Sequence, residues 1–353
     1  MRNFIIKVLG ASVPVLCAIL YYNIAIQPHR HGDLGKLGFI PFDDTYDASI
    51  NDQALDSMYV IEANHIDQVR CDSSILTFGD SFSQRKRYGY QNYLATLYPG
   101  YTVYNLLPGY NYQFIVDLLT HRKDLPDMIV IETVERYLVD RLAHMDFNRS
   151  LAQYEMSIRP DTLSPHPSRF KNSTYYQQCK RFYHNVKNPI CHTQEYLKKK
   201  FGLSNPVRHL EMAHPLFSCQ GASSDLYFYH EDLLAPSDAA IQQSYLKLDT
   251  LFSLAAKRHI RCVLLVASDK YHLYKPFATQ DPYQTKGQLE LFSRYEHDAR
   301  FLNSRSLLAP HLDAEEKDIY LCNDTHWSIF AARYVAEEIK RRFDIQTRQE
   351  ANP

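Results

Sequence analysis

Short apolar runs alternate with helix-period segments along most of this chain, and no other feature restricts its possible folds as tightly. Ile75 to Phe78, Tyr101 to Leu106, Met128 to Glu132 and Arg261 to Ala267 are too short for helices and rich in strand-forming residues. Between them lie Tyr90 to Tyr98, stopped by Pro99-Gly100, and Asn111 to Arg122, with Phe114, Ile115, Leu118 and Leu119 on one side. Asp238 to His259 is amphipathic and ends in Lys257-Arg258-His259, as a helix C-terminus favours. Met128 to Glu132 is nearly continuous in apolar residues, the mark of a central parallel strand buried on both faces. Strand-helix alternation of this kind predicts a parallel sheet with helices on both sides, a three-layer αβα arrangement of flavodoxin-like type. Further on, the pattern predicts a helix over Gln288 to Leu302, a last strand over Ile319 to Cys322, and a closing helix from Ser328 to Phe343.

The ends and the middle depart from that rhythm. Val8 to Ile26 carries no charge and is long enough for one membrane crossing, with Arg2 and Lys7 before it. The positive-inside rule then puts the N-terminus in the cytoplasm and the rest outside it, periplasmic or otherwise extracytoplasmic. No small-x-small cleavage site follows the apolar core, and Leu16 before Cys17 speaks against a lipid-modified cysteine, so residues 1–30 read as an uncleaved anchor. His31 to Asp52 reads as a polar linker and Gln53 to Val69 as an irregular helix, which leaves 70–343 as the α/β domain. Within it, 140–237 loses periodicity and fills with Tyr, His, Asn and Pro. It is too long for a structureless loop and reads as an insertion, either a lid or glycan platform over the site or a buttress for the sheet.

With 45% apolar residues the chain is globular, and a net charge of −1 with no recurring lysine/arginine stripe argues against nucleic acid as a partner. Of seven cysteines, Cys17 lies in the anchor; Cys71, Cys262 and Cys322 border or lie in predicted strands as small buried hydrophobes. Cys179, Cys191 and Cys219 fall in the insertion, where one disulfide is possible and spacing does not choose the pair. No Cys-x-x-Cys or His-x-x-x-His set supports a metal site, and no cofactor motif is present.

Two stretches carry chemistry. Ser74-Ile-Leu-Thr-Phe-Gly-Asp-Ser81 is a strand running into a turn that presents one hydroxyl at the carboxyl edge of a sheet; if a helix follows, its free N–H groups face Ser81. Such clusters are also ordinary turns. Asp324-Thr325-His326-Trp327 supplies what a serine nucleophile needs, an imidazole to take its proton and a carboxylate to fix the tautomer. The rival reading is a helix cap with a packed histidine. Trp327 is expected beside the His326 ring. Glu132, Glu135 and Arg136 follow the third strand at the same edge, where Arg136 either holds a substrate oxygen or makes an ion pair. Lys270 and Tyr271 follow the fourth strand as further substrate-binding candidates, although a lysine there is more often in solvent.

Gly79-Asp80-Ser81-Phe82-Ser83, Tyr104 to Gly109, Val130 to Arg136 and Asp324-Thr325-His326-Trp327 together resemble the SGNH (GDSL-type) hydrolase superfamily, in a branch similar to the alginate O-acetyltransferase group with its Asp-x-His-Trp signature. The resemblance implies Ser81 as nucleophile, His326 as base, Asp324 as its orienter, and the Ser81 and Gly109 N–H groups as oxyanion donors. It departs in lacking the asparagine expected after the third strand. It further implies acetyl transfer to hydroxyls of an exported polysaccharide, with acetyl supplied by a membrane-bound O-acyltransferase partner. The same residues would serve a carbohydrate or lipid esterase, and a degenerate site would leave a glycan-binding assembly protein.

Overall fold

The computed structural model describes residues 2–21, 32–38, 45–63, 66–107, 112–148, 201 and 206–351. Six parallel strands form the central sheet: β1 (Ile61–Ala63), β2 (Ser74–Phe78), β3 (Thr102–Leu106), β4 (Met128–Val134), β7 (Arg261–Ala267) and β8 (Phe301–Asn303), in the order β1-β3-β2-β4-β7-β8. Apart from the edge strand β1, this is the doubly wound order in which the second strand lies beside the first and the later ones follow on the other side. The order reverses between β2 and β4, so the crevice for a ligand opens at the carboxyl ends of those two strands.

Burial explains why these segments are strands. All five residues of β2 and all seven of β4 are buried, as strands with helices on both faces must be. On one face Ile75, Val103, Val130, Val263 and Leu265 pack against helices Tyr90–Leu97 and Ile329–Ala351 through Leu94, Val335 and Ile339. On the other, Leu76, Ile129, Ile131 and Leu264 meet helices Gln113–His121, Leu138–Ala143 and Asp238–Lys257 through Ile115, Leu142, Leu251 and Phe252. Each such side chain fully removed from water contributes about 1.5–3 kcal/mol.

The structure differs from the expected elements in several places. Gln53 to Val69 contains no long helix among its described residues; it supplies β1 and a single 3-10 turn. Gln288 to Leu302 is not one helix, because a four-residue helix and a 3-10 turn lead into β8, whose Phe301 and Leu302 are wholly buried. Ile319 to Cys322 is not the last strand. Its apolar residues are buried, but only an isolated bridge between Tyr320 and Trp327 forms there, since β8 already occupies the place beside β7. The expected polar linker holds helices Asp33–Gly38 and Thr45–Asn51, with Leu34, Tyr46 and Ile50 in the core.

At the N-terminus a helix covers Arg2–Tyr21 with Pro14 inside it, and Tyr22 to Ile26 of the expected Val8 to Ile26 span lie outside the described residues. Among the described residues no helix is long and apolar enough to cross a membrane.

Residues 149–200, with Cys179 and Cys191, lie outside the described residues. The rest of the predicted insertion includes an antiparallel pair, β5 (Val207–Glu211) and β6 (Asp225–Tyr229), whose Leu226 and Phe228 join the core. Cys219, Cys262 and Cys322 are buried and in no disulfide, whereas Cys71 is only half-buried.

Candidate active site

The turn after β2 is fixed by carboxylates rather than by a following helix. Only a single 3-10 turn, Ser81–Gln84, succeeds Asp80. The Asp80 carboxylate accepts from the Phe82 N–H at 3.2 Å, the Val134 N–H at 2.9 Å and Arg141 Nη1 at 2.6 Å. The condition for a row of helix N–H groups to face Ser81 is therefore not met, and the Phe82 N–H is consumed locally. Glu132, at the end of β4, accepts from the Asp80 N–H and the Ser83 hydroxyl, each at 2.9 Å. A Cβ at Gly79 would lie 2.3 Å from Glu132 Oε2, so only glycine allows this approach. Burial, reinforced by neighbouring Asp80, pushes the Glu132 carboxyl well above the usual carboxylate range. Burial also opposes charge on Asp80, but Arg141 outweighs it and holds Asp80 below that range. Two carboxyls whose proton affinities are driven in opposite directions thus bolt the Ser81 turn to β4.

Ser81 is left half-exposed, with its hydroxyl toward the far end of the chain. His326 Nε2 stands 2.7 Å from Ser81 Oγ, and His326 Nδ1 stands 2.6 Å from Asp324 Oδ1. Asp324 Oδ1 also accepts from the His326 N–H at 3.2 Å, a local turn that orients the carboxylate. Burial opposes the Asp324 charge, but His326, Arg85 and the His326 N–H together hold its carboxyl far below the usual range. Arg85 Nη1 is 3.6 Å from Asp324 Oδ2. An acceptor carboxylate that stays ionised keeps Nδ1 protonated and leaves the Nε2 lone pair for the serine proton.

The loop carrying this pair has its carbonyls satisfied from two sides. Lys270 Nζ donates to the oxygens of Leu321, Cys322 and Asp324, at 2.6, 2.9 and 3.1 Å. The Asn323 oxygen accepts from the Leu34 and Gly35 N–H groups, both at 3.0 Å. Residues expected to be linker therefore close against the site, and Asp33 Oδ2 reaches within 3.8 Å of His326 Nδ1. Gly32 makes this possible with φ +76° and a position where a Cβ would lie 2.2 Å from the Asn323 oxygen. Gly32→Ala should lower stability by about 1–3 kcal/mol through backbone strain and displace the 321–324 loop; urea unfolding together with turnover measures both effects.

The other expected contacts fall differently. Arg136 does not present a free fork, because Nη1 donates to Asp232 at 3.0 Å and to Asp269 at 2.5 Å. Lys270 is buried, contrary to the solvent exposure usual after a strand. Tyr271 is also buried; its hydroxyl donates to Asp281 and its ring stacks on Phe228 of β6 at 4.8 Å, so it ties the β5–β6 pair to the domain. Trp327 packs edge-on to Phe82 at 4.7 Å, and Phe82 lies against the His326 ring at 4.7 Å, so Phe82 is the direct neighbour of the imidazole. Gly109 lies outside the described residues. Asn105 Nδ2 donates to the Ser83 oxygen at 2.7 Å and is thereby engaged in bracing the turn.

Two groups among the described residues bring three potential metal ligands together. Asp33, Asp324 and His326 include the acid–base pair itself, and Glu135, Asp269 and His272 form a buried set in which Arg305 and Arg136 engage the carboxylates.

Sequence reasoning missed Asp80, Glu132 and Arg141 as the bolts of the turn, Phe82 as the packing partner of His326, and residues 32–35 as the second support of the loop. The signals available were the adjacency of Asp80 to Ser81 and the place of Glu132 at the same sheet edge. Comparison with protein-family models, curated proteins and solved structures found no match to this chain.

Proposed function

We propose that this chain is a serine-dependent O-acyltransferase that moves an acetyl group to a hydroxyl of an exported polysaccharide. One observation carries the reading: Asp324, His326 and Ser81 form a continuous hydrogen-bonded chain of 2.6 and 2.7 Å that ends on a half-exposed hydroxyl at the switch point of the sheet. His326 Nε2 takes the Ser81 proton as Oγ attacks the carbonyl of an acetyl ester. The oxyanion rests on the Ser81 and Gly109 N–H groups, and the donor alcohol leaves with the proton that His326 returns. A sugar hydroxyl, deprotonated in turn by His326, attacks the acetyl-serine and restores the enzyme.

The N-terminal apolar segment would hold the domain at the outer face of a membrane. Since acetyl-CoA is cytoplasmic, a membrane-bound O-acyltransferase would pass the acetyl group across. The test is turnover of an activated acetyl ester with and without a neutral or acidic oligosaccharide. Acetyl appearing on sugar, at a rate that rises with oligosaccharide, is the expected result. Acetate release unaffected by sugar would make the enzyme an extracytoplasmic carbohydrate or lipid esterase. No turnover at all, with function in cells surviving Ser81→Ala, would make it a glycan-binding assembly protein.

A further inference from the structure

We infer that Lys270 is a positioning residue of this site, its ammonium holding the 321–324 loop in the geometry that aims His326 at Ser81. The inference rests on the acyl-transfer reading above and goes beyond it in assigning what sets the reactive geometry.

The loop between Tyr320 and Trp327 is neither helix nor strand, so the sheet ladder gives its carbonyls no partners. Buried carbonyls without donors are costly, and four in succession would not keep one conformation. An ammonium has three N–H donors, and here all three are used on the oxygens of residues 321, 322 and 324. The fourth oxygen, on Asn323, takes the two amides of Leu34 and Gly35. Charge-assisted bonds are roughly twice as strong as neutral ones, so Lys270 supplies most of the restraint. Its three acceptors include the carbonyl of Asp324 itself and lie within five residues of His326.

Holding an ion here is costly to the fold. Lys270 is only 1% exposed, with the Phe217 ring 4.9 Å from its Nζ, and burial pushes its ammonium down to about 8. Cys322 and Asp324 from the loop, Cys219 beside β6 and Asp232 after it face the ammonium and pull the other way, toward the charged form. An uncharged side chain would avoid that cost but would withdraw a charged donor from three carbonyls, with the Leu321 oxygen keeping only the longer bond from the Asp324 N–H at 3.4 Å. Above its titration point the amine keeps two N–H donors, and one of the three carbonyls loses its bond to Lys270.

The experiment uses the full-length chain and an activated aryl acetate, measuring kcat and KM across pH for wild type, Lys270→Arg, Lys270→Met and a Ser81→Ala control. Wild-type kcat is expected to fall on the alkaline side near the Lys270 titration at about 8. Lys270→Arg, charged throughout, should lose that fall. Lys270→Met should lose roughly 10²-fold in kcat at neutral pH with KM little changed, as expected of a misplaced catalytic group rather than a lost substrate contact. The inference is overturned if Lys270→Met raises KM and spares kcat, if it keeps wild-type turnover, or if the alkaline fall persists in Lys270→Arg. Should Lys270→Met fail to fold, the Lys270→Arg profile decides alone. Turnover surviving in Ser81→Ala would instead sink the acyl-serine reading, whatever the Lys270 variants do.

Discussion

Replacing Ser81 with alanine is expected to remove esterolytic and transferase turnover almost completely, lowering kcat by roughly 10⁴-fold or more while leaving the fold intact. The side chain sits outside the core, and its hydroxyl is engaged by His326 Nε2 at 2.7 Å. Its loss should therefore change stability by no more than about 0.5 kcal/mol. His326→Ala makes a useful contrast, because it removes the base and also the ring packed on Phe82. Thermal unfolding and the burst of alcohol released from an activated acetyl ester, as the acetyl group stays on the serine, measure the two effects separately. A Ser81→Ala protein that keeps activity within tenfold of wild type would place the nucleophile elsewhere.

Arg136→Ala is expected to act on the fold rather than on substrate affinity, with a loss of about 3–5 kcal/mol near neutral pH. Arg136 bridges Asp232 and Asp269, two almost wholly buried carboxylates. Burial pushes Asp232 up to about 6 even with the guanidinium beside it, and pushes Asp269 well above the carboxylate range. Without Arg136 both would rise further. A carboxyl raised in the folded state favours folding below its unfolded pKa and loses that contribution as pH rises through the folded value. The deficit of the variant should accordingly shrink on going from neutral pH to about 5. Urea unfolding at the two pH values tests this. A deficit that is small and independent of pH, accompanied by a raised KM, would return Arg136 to the role of substrate contact.

The patterns that were legible are those whose cause is local. β2, β4 and β7 are apolar through most of their length because each has helices on both faces, and that requirement is written residue by residue. The helix Tyr90–Leu97 ends before Pro99-Gly100 for an equally local reason. The short edge strands were not legible. β1 and β8 have three residues each, fewer than a periodic pattern needs to declare itself. Apolar Ile319 to Cys322 has strand composition without strand pairing, because hydrophobic content reports burial and not the neighbour that provides hydrogen bonds.

The site divides along the same line. Asp324 and His326 are two residues apart, so their contact follows from a turn; Ser81 ends a strand, so its presentation follows from the strand–turn junction. Those local relations the sequence determined by itself. That Ser81 and His326 meet across 245 positions of chain was decided by the tertiary structure. The same holds for the Arg136 ion network, for Lys270 closing on three carbonyls, and for the segment at Leu34 sealing the fourth. The reason is physical: a charged side chain announces its charge in the sequence, but its partner is chosen by which strand ends the fold sets side by side.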